Sequence, residues 1–108
     1  MKDLNFKQMQ EFQKQLQDQY QDKWPALTPD KGKEKLLWML IEAGEIADIL
    51  KKKGDKLVME DPTVRNEFIE EMCDTLMYFN TVMLCYDITP EELQEVYVKK
   101  HLTNMQRW

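Results

Sequence analysis

Glycine and proline are scarce in this chain, with three glycines and four prolines in 108 residues. So few turn-formers exclude a fold of many short strands joined by tight hairpins, and leave room for a few long elements. No stretch alternates convincingly between apolar and polar residues as a half-buried strand would. Cysteine occurs twice, at Cys73 and Cys85, inside what reads as one helix. On a helix rising ~1.5 Å per residue the two would stand roughly 18 Å apart, too far for an intrahelical disulfide. Free, reduced thiols are expected, as in a cytoplasmic protein. Basic residues are outnumbered, 15 against 20 acidic, for a net charge of −5. That balance argues against a nucleic-acid surface, which normally carries a basic excess. No apolar run is long and charge-free enough to cross a bilayer, so no membrane partner is expected. The start, Met1-Lys2-Asp3-Leu4-Asn5, has no apolar run of signal-peptide length.

What is present is ordinary for a folded chain: 43% hydrophobic and 32% charged residues. The length suits a single domain over residues 1–108. Residues 1–27 read as a peripheral helix and loop, and residues 28–108 as the core. The first helix is expected from about Leu4 to Gln21, with Phe6, Met9, Phe12, Leu16 and Tyr20 on its apolar side. Thr28-Pro29 has the form of an N-cap followed by proline at the first helical position. That second helix should run to Lys53 and stop at Gly54, with Lys51, Lys52 and Lys53 at its negative dipole end. Asp61-Pro62 repeats the start signal for a third helix to about Tyr86. Thr89-Pro90-Glu91-Glu92 opens a fourth, to about Arg107, with a capping box. The expected fold is all-α, a compact bundle of about four helices.

Two acidic pairs sit where solvated charges do not belong. Between Leu36 and Leu50 there is no Lys or Arg, and the only charges are Glu42, Glu45 and Asp48. At ~100° per residue, Leu36, Leu40, Ala43, Ala47 and Leu50 share one side of the helix. Glu42 and Glu45 lie opposite, but Trp38 and Ile49 fall between them in angle. A helix apolar nearly all round is expected to be buried, and these glutamates with it. Helix three repeats the pattern: from Met72 to Tyr86 the only charge is Asp74, with Glu71 one turn before it. Glu71, Asp74 and Tyr78 form a stripe at i, i+3, i+7. Buried carboxylates without partners are costly, and clustered ones also repel. Four such side chains on two packed helices make a hard-cation site suited to Mg²⁺ or Mn²⁺. A single such pair is usually solvated; the repetition on two consecutive apolar helices points to a site.

These residues resemble the MazG-like family of all-α nucleoside triphosphate pyrophosphohydrolases. The resemblance is carried by Glu42-Ala43-Gly44-Glu45, by Glu70-Glu71-Met72-Cys73-Asp74, and by the Lys-x3-Asn-x2-Arg spacing of Lys100, Asn104 and Arg107. It covers about residues 30–108 and would make the 28–108 core the catalytic part. The resemblance implies cleavage of a (deoxy)nucleoside triphosphate between the α and β phosphates, with nucleotide-pool sanitation as the role. Glu42, Glu45, Glu71 and Asp74 would hold Mg²⁺, with Mn²⁺ as a substitute. Glu42 and Glu45 are the catalytic candidates, Glu45 as general base. Lys100 and Arg107 would neutralise phosphate, Asn104 would bond phosphate or sugar, and Tyr78 would pack on base or sugar. Lys100, Asn104 and Arg107 share one face of helix four at i, i+4, i+7, so one ligand could meet all three.

Bland readings stand beside these. Lysines at a helix C-terminus are attracted by the dipole alone. Trp24 and Trp38 are base-stacking candidates, although tryptophan in a small domain is usually core. Asn80 leaves its helix at a different angle from the acids. His101 reads as a surface residue. A di-iron or di-manganese carboxylate bundle needs two Glu-x-x-His motifs, which this chain lacks. A non-enzymatic helical module would show its acids on a polar face. A phosphoribosyl-ATP pyrophosphohydrolase-like enzyme is a further alternative within the same class. Helices apolar nearly all round cannot cover themselves in one short chain, so a homodimer or homotetramer is expected. In such an assembly Lys100 and Arg107 would serve a neighbour's site.

Overall fold

A computed structural model describes residues 3–108 of the chain. Its secondary structure is four α-helices and one 3-10 turn, with no strand among the described residues, so the fold is all-α. The first helix, α1, spans Phe6–Gln19. Asn5 starts it: the Asn5 side chain accepts from the Gln8 backbone N–H at 2.8 Å, and the Gln8 side chain accepts from the Asn5 N–H at 3.0 Å. This capping box sets the start two residues later than the apolar pattern suggests. The other end also comes early, and the rings of Tyr20 and Trp24 pack together in the following turn, 4.8 Å between centroids.

Thr28 does not cap a helix directly. Its hydroxyl bonds the Asp30 carboxylate instead, and Pro29–Lys31 form one 3-10 turn ahead of α2, Gly32–Glu60. Gly54 does not end this helix, as the sequence suggested. It breaks it for one residue, at φ 83° and ψ 162°, and the helix resumes to Glu60. Only glycine takes that backbone conformation readily, so the chain bends there without an exit. Asp61 then ends α2 and starts α3, Pro62–Cys85: its carboxylate accepts from the N–H groups of Thr63 and Val64, at 2.9 and 3.3 Å. A one-residue connection forces α3 to turn back along α2, and this is the most extensive helix pairing in the molecule. Arg65 clasps the turn by donating to the Val58 carbonyl. The last helix, α4, Pro90–Arg107, carries the expected capping box between Thr89 and Glu92.

The buried interior is small. Val58, Val64, Met83 and Cys85 are its apolar members, with Gln10, Asn80 and Thr81 beside them. Gln10 secures α1 by donating to the Ile88 carbonyl at 2.9 Å, and Phe6 meets Phe79 edge-on. The expectation that α2 would be buried all round is corrected. Leu36, Leu37, Trp38, Leu40 and Ile41 are between 42% and 55% exposed. A single neighbour, α3, covers only one side of a helix that is apolar on most of its circumference. The two cysteines are free, Cys73 at the surface and Cys85 buried. No helix among the described residues is long and apolar enough to cross a membrane.

Gly32 and Gly44 differ in what surrounds them. A Cβ at Gly32 would run into the ring and hydroxyl of Tyr86, whereas one at Gly44 would meet nothing within 4 Å. Gly32→Ala is therefore expected to destabilise by about 1–3 kcal/mol through overpacking. Gly44→Ala should instead stabilise by up to ~1 kcal/mol through helix propensity. Urea unfolding of both variants checks the opposite signs.

Candidate metal centre

Glu42 and Glu45 stand one turn apart on α2, and the return of α3 sets Glu71 against them. Carboxylate oxygens of all three lie within 4.8 Å of one another. Glu42 and Glu71 are half-buried and Glu45 is exposed, which corrects the expectation that both α2 glutamates go inside. Glu71 is the constrained member. Its Oε2 is buried and has no hydrogen-bond partner among the described residues. The Glu71 carboxyl is pushed up to about 7, first by loss of solvation and then by the nearby carboxylates of Glu42 and Glu45. Among the described residues no ion pair relieves the cluster. The ion pairs among the described residues are Lys7–Glu91, Lys52–Asp48 and Lys99–Glu95, none of which includes a member of it.

This donor set fits a hard divalent cation. Three carboxylates converge, one oxygen lacks a partner, and none has an ion-pair partner among the described residues. An octahedral ion such as Mg²⁺ would keep waters in its remaining positions.

Asp74, one turn beyond Glu71, is not gathered into the three-carboxylate group. It lines a neighbouring cavity of about 430 Å³ together with Tyr78, Trp38, Trp24 and Lys35. The stripe that joins Asp74 and Tyr78 in sequence thus faces one cavity. The two tryptophans are not core residues, being 41% and 44% exposed. Their indoles help to wall this cavity, because the surrounding helices are too few to bury them.

The C-terminal residues lie elsewhere. α4 packs on α1, with no close backbone approach to α2. Lys100 and Asn104 line a groove of about 360 Å³ on α4 with His101 and Tyr97, and Arg107 stacks over Trp108. Within one chain, then, Lys100, Asn104 and Arg107 are not assembled with the acidic group. Lys51, Lys52 and Lys53 are exposed, and Lys52 pairs with Asp48 at 2.9 Å.

Lys35 escaped the sequence reading. The signal was there: Lys35, Trp38, Glu42 and Glu45 recur at i, i+3, i+7, i+10 and so share one stripe of α2. It was masked by its place in the Lys33-Glu34-Lys35 run, which reads as a solvated first turn.

No family model matches the chain, and no curated protein or solved structure does either.

The raised Glu71 carboxyl makes stability depend on pH in a definite direction. Between its ordinary value of 4.5 and about 7, the folded protein binds more protons than the unfolded chain. Stability therefore falls as pH rises through that interval. Glu71→Gln removes the effect, so in chelator-treated protein the variant should gain on the parent with rising pH. The gain should be complete above pH 7 and vanish below 4.5. A difference in denaturation midpoint that stays constant across this range would contradict it.

Proposed function

We propose that this protein is a divalent-cation-dependent nucleotide pyrophosphohydrolase. It would hydrolyse a (deoxy)nucleoside triphosphate to the monophosphate and pyrophosphate, in the manner of the MazG-like enzymes that its acidic pairs and C-terminal spacing resemble. The observation that carries this reading is the unrelieved carboxylate group of Glu42, Glu45 and Glu71, which opens beside a cavity with aromatic walls. Mg²⁺ or Mn²⁺ held there would supply Lewis-acid activation of the phosphate and of water. The reaction breaks the bond between the α-phosphorus and the oxygen bridging to the β-phosphorus. Water adds its oxygen to the α-phosphorus, and its protons pass to solvent and to the departing pyrophosphate.

Each residue then has a task. Glu42, Glu45 and Glu71 would hold the cation, and Asp74, which stands outside that group, would have to turn toward it from the next turn of α3 to join them. Glu45 is open to solvent and accepts the proton of the attacking water. Lys35, on the stripe of Trp38 and Glu42, neutralises phosphate charge. Trp24, Trp38 and Tyr78 offer flat faces to a base or sugar, which is the main support for a nucleotide over another phosphorylated compound. The same set would serve a phosphoribosyl-ATP-like substrate, and a substrate panel separates the two.

The catalytic unit would be a homodimer or homotetramer in the cytoplasm. The radius of gyration, 16.4 Å, exceeds the ~13 Å of a closed domain this size. Val96, Tyr97, Leu102 and Met105 of α4 are 57–71% exposed, and Leu36, Leu37, Leu40 and Ile41 of α2 are 42–55% exposed. A second copy covering these faces would bring Lys100, Asn104 and Arg107 to a neighbour's acidic group. The exposed faces also suit a non-enzymatic helical module, but such a module leaves the unpartnered Glu71 unexplained.

Mg²⁺ or Mn²⁺ should raise the melting temperature, and a panel of canonical and modified nucleotides should yield pyrophosphate and monophosphate in equal amounts. Glu45→Gln is expected to lower turnover by at least a hundredfold with the helical content intact. Lys100→Ala should chiefly raise KM. Absence of both a cation-induced shift and pyrophosphate release would favour the module.

A further inference from the structure

The two ends of α4 carry opposite charge. Glu91, Glu92 and Glu95 stand in its opening stretch, which has no Lys or Arg, and Lys99, Lys100 and Arg107 stand in its closing stretch, which has no acid. Acids at the start and bases at the end suit the helix macrodipole. They also make the helix complementary in charge to an antiparallel copy of itself.

The apolar residues of α4 are divided in the same way. The helix packs on α1, with no close backbone approach to α3 among the described residues. That gap is a groove of about 650 Å³ beside the acidic end. Phe6, Leu76 and Phe79 line it from α1 and α3, and Leu93, Tyr97 and Val98 line it from α4. Asn5, Lys7, Glu91 and Gln94 add polar groups, and the Lys7–Glu91 pair among them is solvent-exposed. At the basic end there is a ridge instead. Val98, Leu102 and Met105 recur at i, i+4, i+7 and so share one stripe. Leu102 is 57% exposed and Met105 68%.

A two-fold contact is self-complementary: each copy must offer both members of every pair. α4 meets this condition, with groove and acids at one end and ridge and bases at the other. We infer that two copies of this chain pair through antiparallel α4 helices, the Leu102–Met105 ridge of each seated in the groove of the other. The acids of each copy then face the bases of its partner at both ends of the contact. Lys100, Asn104 and Arg107 stem from another side of the helix than the ridge. The pairing defines one face of the oligomer proposed above and does not rest on the acidic centre or its chemistry.

Sedimentation equilibrium of the full chain, without cation or nucleotide, tests the pairing. The parent should sediment as a dimer or a multiple of one. Met105→Glu should halve that mass with the helical circular dichroism unchanged, and Leu102→Glu is a second variant on the same ridge should the first not fold. Two charge-swapped proteins, Glu91→Lys with Glu95→Lys and Lys99→Glu with Lys100→Glu, should each associate about tenfold more weakly, because like charges now meet. Mixing the two should restore association as a heteromer. A monomeric parent would overturn the inference and leave the groove to a helix of another protein. A mass unchanged by both ridge substitutions would also overturn it, as would a mixture that associates no better than its components.

Discussion

The turn at Asp61 governs most of this molecule. One residue ends α2, caps α3 through two backbone N–H groups, and obliges the second helix to run back along the first. Everything at the acidic centre follows from that return. Glu42 and Glu45 would be an ordinary solvated pair on an isolated helix, and Glu71 an unremarkable surface acid. Brought together, they become three carboxylates with oxygens within 4.8 Å of one another and no ion-pair partner among the described residues. Helix packing thus holds acidic groups at close range, and the consequence appears at Glu71, whose carboxyl is pushed up to about 7, first by loss of solvation.

The same pairing explains why the interior is modest. One helix can cover only one side of another, so the remaining apolar side of α2 stays open, and α4 lies against α1 rather than filling the gap. Half-exposed tryptophans then become cavity walls. Where aromatic faces, a lysine and Asp74 surround a cavity next to an acidic group, an ordinary shortage of covering helices acquires chemical meaning.

Long elements were legible because their signals are local. Scarce glycine and proline, the Asp61-Pro62 start and the Thr89–Glu92 capping box each act within a turn of the chain, so three of the four helices could be placed closely. The misplacements are also local in origin. Asn5 and Gln8 formed a capping box that the Gln-rich composition concealed, Thr28 turned to Asp30, and Gly54 bent a helix without ending it. At the site, the equal spacing of Glu42–Glu45 and Glu71–Asp74 suggested four equivalent ligands. The structure draws in three and gives Asp74 a second neighbourhood, because side-chain reach across a helix pair depends on where the axes approach.

By itself, then, the sequence determined the all-α class, the helix starts that carry their own caps, and the identity of the acids that share a stripe. These depend on periodicity and on hydrogen bonds within a few residues. Only the tertiary structure decided which acids meet, which apolar faces remain open, that Lys35 joins the aromatic cavity, and that Lys100, Asn104 and Arg107 stand apart from the acids in one chain. Those outcomes depend on how helices distant in sequence pack, and on the burial and charge that packing imposes.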